Sequence, residues 1–482
     1  MMRVLFVTAE ATPFAQTGGL GEVCGSLPKA LAQLGCEVRL LLPAYGSIKA
    51  RYPALRRLRP LTAPGLPPDS ALLALPLAPG LELWLVDAPA LFDRPGGLYS
   101  DEAGREWHDN PLRFAAFAQA AAALAQAADW RPDVVHCHDW QTGLTPALLA
   151  GQSPRPATVF TIHNLAFRGL CDRATFEQLQ LPRDWWDWQK LEFHGQCAFI
   201  KGGLVFADRL STVSPGYAEE IKTADFGYGL DGLLRQRAGE LQGILNGIDQ
   251  TVWDPATDPH LRAPYHAGDL AGRAINKAAV QESFGLALRP EACLLGVVSR
   301  LTDQKGIDLL LAALRDPATA DLQCAILGSG EPWLEDAVRA LVADFPGRIG
   351  AHFGYDTALS HLVYGGIDAF AMPSRFEPCG LSQFYSLRYG AVPVVRHTGG
   401  LADSVHEGPT GNGLVFHPPF VGDLLAALVR LKACWQDQTA WRALQARGMA
   451  QDFSWARSAE AYLALYRSRL PPEVPSHALT HA

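Results

Sequence analysis

Residues 372–405 read MPSRFEPCGLSQFYSLRYGAVPVVRHTGGLADSV, and this stretch decides the fold of the second half of the chain. An apolar run at 368–372 predicts the end of a buried strand, and 392–396 predicts the next one. Between them, 379–389 predicts a helix that a glycine ends. Strand, helix and strand in this order predict a βαβ unit of a parallel sheet.

Two turns follow the carboxyl ends of these strands, which is where ligands bind in open α/β sheets. The first turn carries Glu377, and the second reads Thr-Gly-Gly at 398–400. Glycine lets a phosphate approach the backbone, and a helix N-terminus favours negative charge. A carboxylate can accept hydrogen bonds from sugar hydroxyls or stabilise positive charge at an anomeric carbon. Together the turns indicate a site for a sugar carried on a diphosphate, whereas the glycines alone would indicate only a βαβ corner.

The composition is that of a globular protein with at least two cores, since 48% of the 482 residues are hydrophobic and 19% are charged. A net charge of −8 argues against nucleic acid and anionic membranes as main partners. The nine cysteines form no C-x-x-C pair, which predicts reduced thiols and a cytoplasmic protein. A strand starts almost at the N-terminus, so we expect no signal peptide. The longest apolar run, 115–128, predicts a packed helix.

The chain also opens with a βαβ pattern. Apolar runs at 3–8 and 37–42 flank a helical pattern at 22–34, and a glycine turn precedes that helix. The dinucleotide-binding motif G-x-G-x-x-G would require glycine at the position of Cys24, and no acidic residue follows the second strand. The pattern therefore argues against an NAD site.

Two consecutive strands in this half end in histidine or aspartate. The strand at 132–137 runs into His138 and Asp139, and the strand at 158–162 runs into His163. The carboxyl ends of parallel strands meet at one edge of a sheet, so these residues predict the rim of a site.

A metal site at these histidines is disfavoured. His136 and His138 lie two residues apart and share a strand face, but no third or fourth ligand is evident in the sequence. We expect one of them to point inward and the other to lie near the ligand. The aromatic cluster at 184–188, DWWDW, is expected to pack rather than to contact a glucan.

The pattern as a whole predicts two α/β halves joined by a hinge, with a cleft between them. We expect the first half to span 1–245 and the second to span 246–455. A final helix is expected at 456–470. The tail, 471–482, is expected to be disordered. Residues 51–80 predict an irregular or edge region.

Ten stretches, in order along nearly the whole chain, resemble the bacterial glycogen synthase family, which includes the plant starch synthases. The stretches are TGGLGEV, DRPGGLY, VVHCHDWQTGL, TIHNLAFRG, STVSPGYAEEI, FGYGLDGLL, ILNGIDQTVWDP, VVSRLTDQKGIDLLL, PSRFEPCGLSQFYSLRYG and HTGGLADSV. The resemblance implies an α/β glycosyltransferase fold of the GT-B type, with two doubly wound, Rossmann-like domains facing a cleft. It implies that the second domain, 246–455, binds the nucleotide sugar and that the final helix, 456–470, crosses back to the first domain, 1–245. It also implies transfer of glucose from ADP-glucose to the 4-hydroxyl at the non-reducing end of an α-1,4-glucan, with retention of configuration. No metal and no cofactor beyond the sugar-nucleotide substrate is implied.

The same resemblance assigns site residues. Arg300 and Lys305 match the cations that hold the diphosphate, where fixed positive charge stabilises the departing group. Glu377 matches the carboxylate near the sugar, and His163 the residue near the anomeric centre, while Asp139 matches a further sugar-site position. Substrate-binding positions, which include Tyr355 as the residue stacking on adenine, are Gln16, Thr17, Gly18, Gly19, Tyr99, Asn246, Tyr355, Cys379, Gly380, Leu381, Thr398, Gly399 and Gly400.

One position departs from the family. Gln16 stands where the family usually has a lysine that helps to bind the donor. A hydrogen bond to a charged group is worth about 1.5–3 kcal/mol, and Gln16 can still donate a neutral one. Complete loss of the contact would weaken donor binding roughly 10- to 150-fold, and we expect the lower part of that range.

Two other functions stay open on the sequence. One is a related transferase that uses UDP-glucose as donor or transfers to another acceptor, and the replacement of the family lysine by Gln16 leaves this function open. The other is an inactive homologue that only binds glucan or nucleotide, against which the retained Glu377, Arg300 and Lys305 argue. A phosphorylase is disfavoured, because it would be much longer and would need a pyridoxal-phosphate lysine.

Overall fold

The computed structural model describes residues 1–468, which form two compact units. Within the described residues, the first domain consists of Met1–Val213, Ala218–Ile244 and residues 455–468. The second domain consists of Ser214–Tyr217 and Leu245–Ser454. The predicted disordered tail and the last residues of the predicted final helix lie outside the described residues.

Both domains contain parallel sheets. The strands are β1 Arg3–Val7, β2 Glu37–Pro43, β3 Arg56–Pro60, β4 Ala71–Ala78, β5 Leu81–Asp87, β6 Val134–His138, β7 Ala157–Ile162, β8 Leu170–Cys171, β9 Glu192–Phe193, β10 Gln196–Ala198, β11 Arg209–Thr212, β12 Leu241–Gly243, β13 Leu294–Val298, β14 Gln323–Leu327, β15 Ile349–His352, β16 Ala369–Met372, β17 Val392–Arg396 and β18 Leu414–Phe416.

Helices connect most of these strands. They are α1 Gly19–Gln33, α2 Gly46–Arg51, α3 Pro89–Phe92, α4 Asn110–Ala125, α5 Leu144–Ala150, α6 Arg173–Gln178, α7 Phe199–Phe206, α8 Pro215–Glu220, α9 Asp231–Gln236, α10 Gly272–Ser283, α11 Ile307–Arg315, α12 Pro332–Asp344, α13 Thr357–Gly366, α14 Ser382–Arg388, α15 Gly399–Ser404, α16 Val421–Gln436, α17 Gln438–Met449 and α18 Trp455–Arg467.

The first domain is built on a nine-stranded sheet in the order β12-β11-β7-β6-β1-β2-β5-β4-β3. Every pairing from β12 to β5 is parallel, and the central strand β1 is buried in all but its first residue. Such continuous apolar strands are typical of sheets covered on both faces. Strands β8, β9 and β10 form a separate antiparallel sheet.

The second domain has a six-stranded, fully parallel sheet in the order β15-β14-β13-β16-β17-β18. This is the 3-2-1-4-5-6 order of a doubly wound nucleotide-binding fold. Its core joins strand residues such as Val297 and Val394 with Leu310 and Leu428 of the covering helices. The predicted class, α/β with Rossmann-like domains, is confirmed.

The strand order reverses beside β1 in the first sheet and beside β13 in the second. In doubly wound sheets, ligands bind at this switch point, outside the carboxyl ends of the strands. The loops at these positions follow β1 and β6 in the first domain, and β13 and β16 in the second. They carry Glu10 and Asp139, and Lys305 and Glu377, respectively.

The last helix completes the first domain. Helix α18 packs against α1, and the Tyr466 hydroxyl hydrogen-bonds Nδ1 of His136 at 2.7 Å. Tyr462 and Tyr466 are almost fully buried there.

Residues 51–80 contain β3 and β4, an antiparallel pair at the edge of the first sheet, which agrees with the predicted edge region. Two other local features differ from the sequence analysis. Helix α14 begins at Ser382 rather than at Cys379, because Gly380 has a φ of 73°, which a right-handed helix excludes. Helix α17 was not predicted, since its polar sequence QTAWRALQARGM has only a narrow apolar face.

All nine cysteines are free thiols, and eight of them are buried. Among residues 1–468, no helix is both long enough and apolar enough to cross a bilayer.

Candidate active site

A buried carboxylate organises the first glycine turn. Glu10 follows β1, is 3% exposed, and accepts the main-chain N–H of Thr17 at 2.6 Å and of Gly18 at 3.3 Å. Its other oxygen accepts the hydroxyls of Thr17 and Tyr99, each at 2.7 Å. Four donors on one carboxylate fix the turn and tie it to the loop that carries Tyr99. Helix α1 then begins at Gly19.

Glu10 was missed by the sequence analysis. The only signal available was a carboxylate directly after the first strand, in the stretch that precedes the glycine turn. Its partners lie 7, 8 and 89 residues away, so the cluster exists only in the folded chain.

Asp139 and His163 meet at the ends of β6 and β7. Asp139 accepts the main-chain N–H of His163 at 2.7 Å and of Asn164 at 3.4 Å. Asp139 itself has a φ of 55°, an uncommon backbone conformation for a residue other than glycine. The main-chain carbonyl and Nδ1 of His163 have no hydrogen-bond partner within the described residues.

The two histidines of β6 are both buried side by side. Their ring centroids lie 4.0 Å apart, so they share a strand face as predicted, but both are 0% exposed. His136 hydrogen-bonds Tyr466 and Thr161 in the interior, whereas His138 is directed toward His163, so the expectation of one inward histidine and one near the ligand stays a prediction. Nδ1 of His138 hydrogen-bonds Nε2 of His163 at 2.9 Å. This contact joins β6 to the residue that the family resemblance places near the anomeric centre.

Burial shifts the pKa values of these groups in opposite directions. It lowers the pKa of His163 to about 3 and those of His136 and His138 well below their ordinary value, so all three imidazoles are neutral. It raises the pKa of Asp139 to about 7, with a smaller contribution in the same direction from the Glu10 carboxylate. The site thus contains a carboxyl group that titrates near neutral pH.

One cluster has metal-ligand chemistry. Cys24, His138 and His163 offer ligand atoms within 4.8 Å of one another, and all three residues are buried. Cys24 on α1 is therefore a third side chain with a possible ligand atom, which the sequence did not reveal. The direct hydrogen bond between His138 and His163 already uses one nitrogen of each ring, so the cluster is satisfied in part without an ion.

Gln16, where the family has lysine, lies on the surface beside the first turn. Its amide donates weakly to the Gly18 carbonyl at 3.4 Å and to a Glu22 carboxylate oxygen at 3.5 Å. It is oriented by its own turn and lies next to an acidic side chain.

In the second domain, Lys305 and Glu377 form a partly buried ion pair. Lys305 Nζ donates to Oε2 of Glu377 at 2.5 Å, and the Ser374 hydroxyl donates to the same oxygen at 3.1 Å. Glu377 is 5% exposed, and its Oε1 has no partner within residues 1–468. A carboxylate held in this way leaves one oxygen to accept hydrogen bonds from a ligand.

Arg300 and Tyr355 lie at the surface of this domain. Arg300 follows β13, is exposed, and makes no ion pair with any of the described residues. Tyr355 follows β15 and is 81% exposed, so its ring is open to stacking. An unpaired arginine can bind a phosphate through two parallel hydrogen bonds.

The second glycine turn packs against the turn at Cys379. The Gly400 N–H donates to the main-chain oxygen of Glu377 at 3.1 Å, and a Cβ on Gly400 would lie 2.2 Å from the Cys379 carbonyl oxygen. Burial raises the pKa of the Cys379 thiol to about 12, and this thiol lies within hydrogen-bond reach of Asn246. Thr398, Gly399, Gly380 and Leu381 adjoin the same turns.

The structure therefore gathers the predicted residues into one group in each domain. The first contains Gln16, Thr17, Gly18, Gly19, Tyr99, Asp139 and His163, and the second contains Asn246, Lys305, Glu377, Cys379, Gly380, Leu381, Thr398, Gly399 and Gly400, with Arg300 and Tyr355 at the surface of the second domain. Paired Rossmann-like domains with such groups at the strand ends define a GT-B glycosyltransferase.

Comparison with known proteins identifies the family. Residues 3–236 match a model described as the starch synthase catalytic domain, and residues 292–433 match one described as glycosyl transferases group 1. A glycogen synthase of Thioalkalivibrio sulfidiphilus is 50% identical over 97% of this chain and 99% of its own length. One from Halorhodospira halophila is 51% identical over 97% of this chain and 98% of its own. The chain belongs to the glycogen and starch synthase family and is a glycosyltransferase.

A solved structure supports the same fold. The catalytic domain of starch synthase IV from Arabidopsis thaliana, bound to ADP and acarbose, matches with a TM-score of 0.88 and 31% identity. The match covers 97% of this chain and 99% of that one.

Proposed function

We propose that the protein transfers glucose from ADP-glucose to the 4-hydroxyl at the non-reducing end of an α-1,4-glucan, with retention of configuration. The observation that carries this proposal is the Lys305–Glu377 pair, in which a buried carboxylate keeps Oε1 open beside a cation. Family membership and the ADP- and acarbose-bound starch synthase structure support it.

In the proposed reaction, the bond between the anomeric carbon and the phosphate oxygen breaks, and its electron pair leaves with ADP. The acceptor 4-oxygen forms the new bond, and its proton passes to the departing phosphate. Arg300 and Lys305 stabilise negative charge that grows on the diphosphate, which lowers the barrier more than it stabilises bound substrate. Glu377 accepts sugar hydroxyl hydrogen bonds through Oε1.

The first domain supplies neutral and acidic groups in this proposal. The carbonyl oxygen and the ring of His163 can interact with positive charge or with a hydroxyl group at the anomeric centre. Asp139 holds the His163 backbone in place. We propose that no metal takes part, since Arg300 and Lys305 already supply the positive charge that the leaving group needs. Activity that survives exhaustive chelation would support this, and activity restored only by a metal would contradict it.

The test is incorporation of label into glycogen from radiolabelled ADP-glucose and, separately, from UDP-glucose. We expect strong incorporation from ADP-glucose and a loss of at least roughly 100-fold in Glu377→Gln, because the neutral amide no longer pairs with Lys305. Glu177→Gln, at an exposed pair with Arg173, is the matched control and should keep full activity. No incorporation from either donor would overturn the proposal.

A second candidate donor follows from Gln16. The family resemblance assigns a donor contact to the lysine that Gln16 replaces. Because this contact is weaker here, the enzyme can discriminate less between ADP-glucose and UDP-glucose. Incorporation from both donors, or from UDP-glucose alone, would favour the related UDP-glucose transferase.

A further inference from the structure

A large cavity lies in the second domain, away from the residues discussed above. It has a volume of about 680 Å³ and is lined by Cys293, Leu322 and Asp368, which immediately precede β13, β14 and β16. Lys305 and Glu377 instead lie beyond the carboxyl ends of β13 and β16. The cavity is therefore at the opposite edge of the sheet, and its size is within the range of about 300–1,000 Å³ typical of small-molecule sites.

The cavity is positively charged, although the chain as a whole has a net charge of −8. Its basic lining residues are Arg273, Lys277, Arg289, Lys432 and Arg442. Its acidic lining residues are Glu291, Asp321 and Asp368. Five positive charges and three negative charges leave an excess of two positive charges.

Each of the three carboxylates is already used by one of the basic residues. Asp368 pairs with Lys277 at 2.6 Å, and Asp321 pairs with Lys432 at 2.5 Å. The third pair joins Arg289 and Glu291 at 3.0 Å. The unmatched charges are therefore those of two specific arginines.

These two are Arg273 and Arg442. Arg273 is 7% exposed and donates only to neutral oxygens, namely the main-chain carbonyls of Tyr389 and Ile367 and the hydroxyl of Tyr265. Arg442 on α17 is exposed and has no ion pair or hydrogen bond from its side chain within the described residues. A buried cation without an anion is unfavourable, so an anionic ligand would remove a cost already present in the fold.

The cavity also offers aromatic surface. Trp435 is half-buried, with Lys277 Nζ over its ring at 4.7 Å, and it meets the buried Trp441 edge to face with centroids 5.1 Å apart. The accessible part of Trp435 provides an apolar surface against which a flat or ring-shaped group can pack. A ligand that matches the whole cavity therefore combines a ring with two negative charges.

We propose that this cavity binds a phosphate monoester carried on a ring, the chemistry shared by sugar phosphates and nucleoside monophosphates. A phosphate monoester has a charge of about −1.5 to −2 at pH 7, which matches the excess of two positive charges. Arg442 meets the phosphate at the cavity rim, the buried Arg273 contributes positive charge, and Trp435 contacts the ring. This site is separate from the proposed transferase reaction and does not depend on it.

The experiment measures ligand-dependent thermal stabilisation and calorimetric binding on the full chain, with glucose 1-phosphate, AMP and inorganic phosphate as separate probes. A ligand that binds only the folded protein raises its melting temperature. Arg442→Gln is expected to raise the Kd roughly 10-fold, because it removes one charge-assisted contact, while leaving transferase activity unchanged. Arg457→Gln, another exposed arginine, on α18, is the matched control and should bind like the wild type.

Phosphate esters can also occupy a donor site, so Arg300→Gln is measured in parallel. Binding that is weakened in Arg442→Gln and retained in Arg300→Gln supports the proposal. The probe that binds most tightly then shows whether the cavity recognises the sugar, the nucleoside or the phosphate alone. Binding weakened only in Arg300→Gln would overturn it. So would no binding of any probe, or stabilisation equal to that by sulfate at matched ionic strength in both the wild type and Arg442→Gln.

Discussion

The tetrapeptide Thr-Gly-Gly-Leu occurs twice, at 17–20 and at 398–401, and the two copies use their glycines for different reasons. Both copies begin a helix, α1 at Gly19 and α15 at Gly399. In the first copy, a Cβ added to either glycine would meet no atom within 4 Å. In the second, a Cβ on Gly400 would collide with the backbone of Cys379, and Gly399 has a φ of 43°.

The supports of the two turns differ as well. The first turn is held by the buried carboxylate of Glu10 and lies in the same domain as Asp139, whose pKa is raised. The second is held by backbone packing against the turn that carries Glu377 and Cys379. Glycine thus leaves open space in the first turn, whereas in the second it permits close packing. The two Thr-Gly-Gly-Leu turns are therefore expected to respond differently to pH and to substitution.

The pH dependence of stability should separate the two regions most strongly. The pKa of Asp139 is about 7 in the folded chain, against an ordinary value of 3.8. The stability that this shift contributes is fully present below about pH 4 and is lost as the pH rises through about 7. Asp139→Asn should lack this loss, which amounts to at most about 4 kcal/mol of unfolding free energy.

Urea denaturation of the wild type and Asp139→Asn across this pH range measures the difference. Parallel stability curves would show that Asp139 does not titrate as described. Activity of the variant should be low throughout, since the amide replaces the carboxylate that holds His163.

Substitution of the second turn should cost the most among the glycine changes. Gly400→Ala forces backbone atoms of Cys379 away from 2.2–2.7 Å contacts, with an expected loss of about 3 kcal/mol in unfolding free energy. Gly19→Ala is the matched control in the first turn, where the added methyl group meets open space and the change should stay below about 1 kcal/mol. Equal losses of unfolding free energy, measured by urea denaturation, would show that the two copies do not use their glycines for different reasons.

Removal of the Glu10 carboxylate should disorganise the first turn only. Glu10→Ala leaves the donors of Thr17, Gly18 and Tyr99 unpaired, and we expect kcat/KM to fall roughly 10- to 100-fold. In Tyr99→Phe, which removes a single donor, kcat/KM should fall by less. Steady-state kinetics with ADP-glucose would contradict this idea if Glu10→Ala kept wild-type kcat/KM.

The smallest effect is expected at Gln16. Gln16→Lys restores the family residue and should lower the KM for ADP-glucose by at most roughly 10-fold, because a lysine there can also pair with Glu22. The double variant Gln16→Lys/Glu22→Gln should show the larger gain. Unchanged KM and kcat in both variants would mean that position 16 does not contact the donor.

Much of the fold was predictable because apolar strands and glycine-ended helices are local signals. The run at 392–396 is β17, and the runs near 132–137 and 158–162 correspond to β6 and β7. The antiparallel pair β3–β4 was not predictable as strands, because the Pro- and Leu-rich sequence of 51–80 shows no clear alternation of apolar and polar residues.

The candidate site was predictable only in part. Strand ends indicated Asp139, His163 and Glu377, while most other residues came from the family resemblance. The four-donor arrangement at Glu10 and the approach of Cys24 to His138 depend on contacts between residues far apart in the chain, which no local pattern records. Whether a residue is buried enough to shift its pKa is likewise a property of packing.

Helix α18 has a consequence for how the chain is made. The first domain includes residues up to Ile244 and then residues from Trp455, so its last helix is translated about 210 residues after the rest of it. At about 5–20 residues per second, that interval is roughly 10–40 s. During this time α1 has no α18 to cover it, and His136 lacks its Tyr466 partner. A ribosome-bound chain therefore exposes the surface of α1 that α18 covers until residues 455–467 have been synthesised.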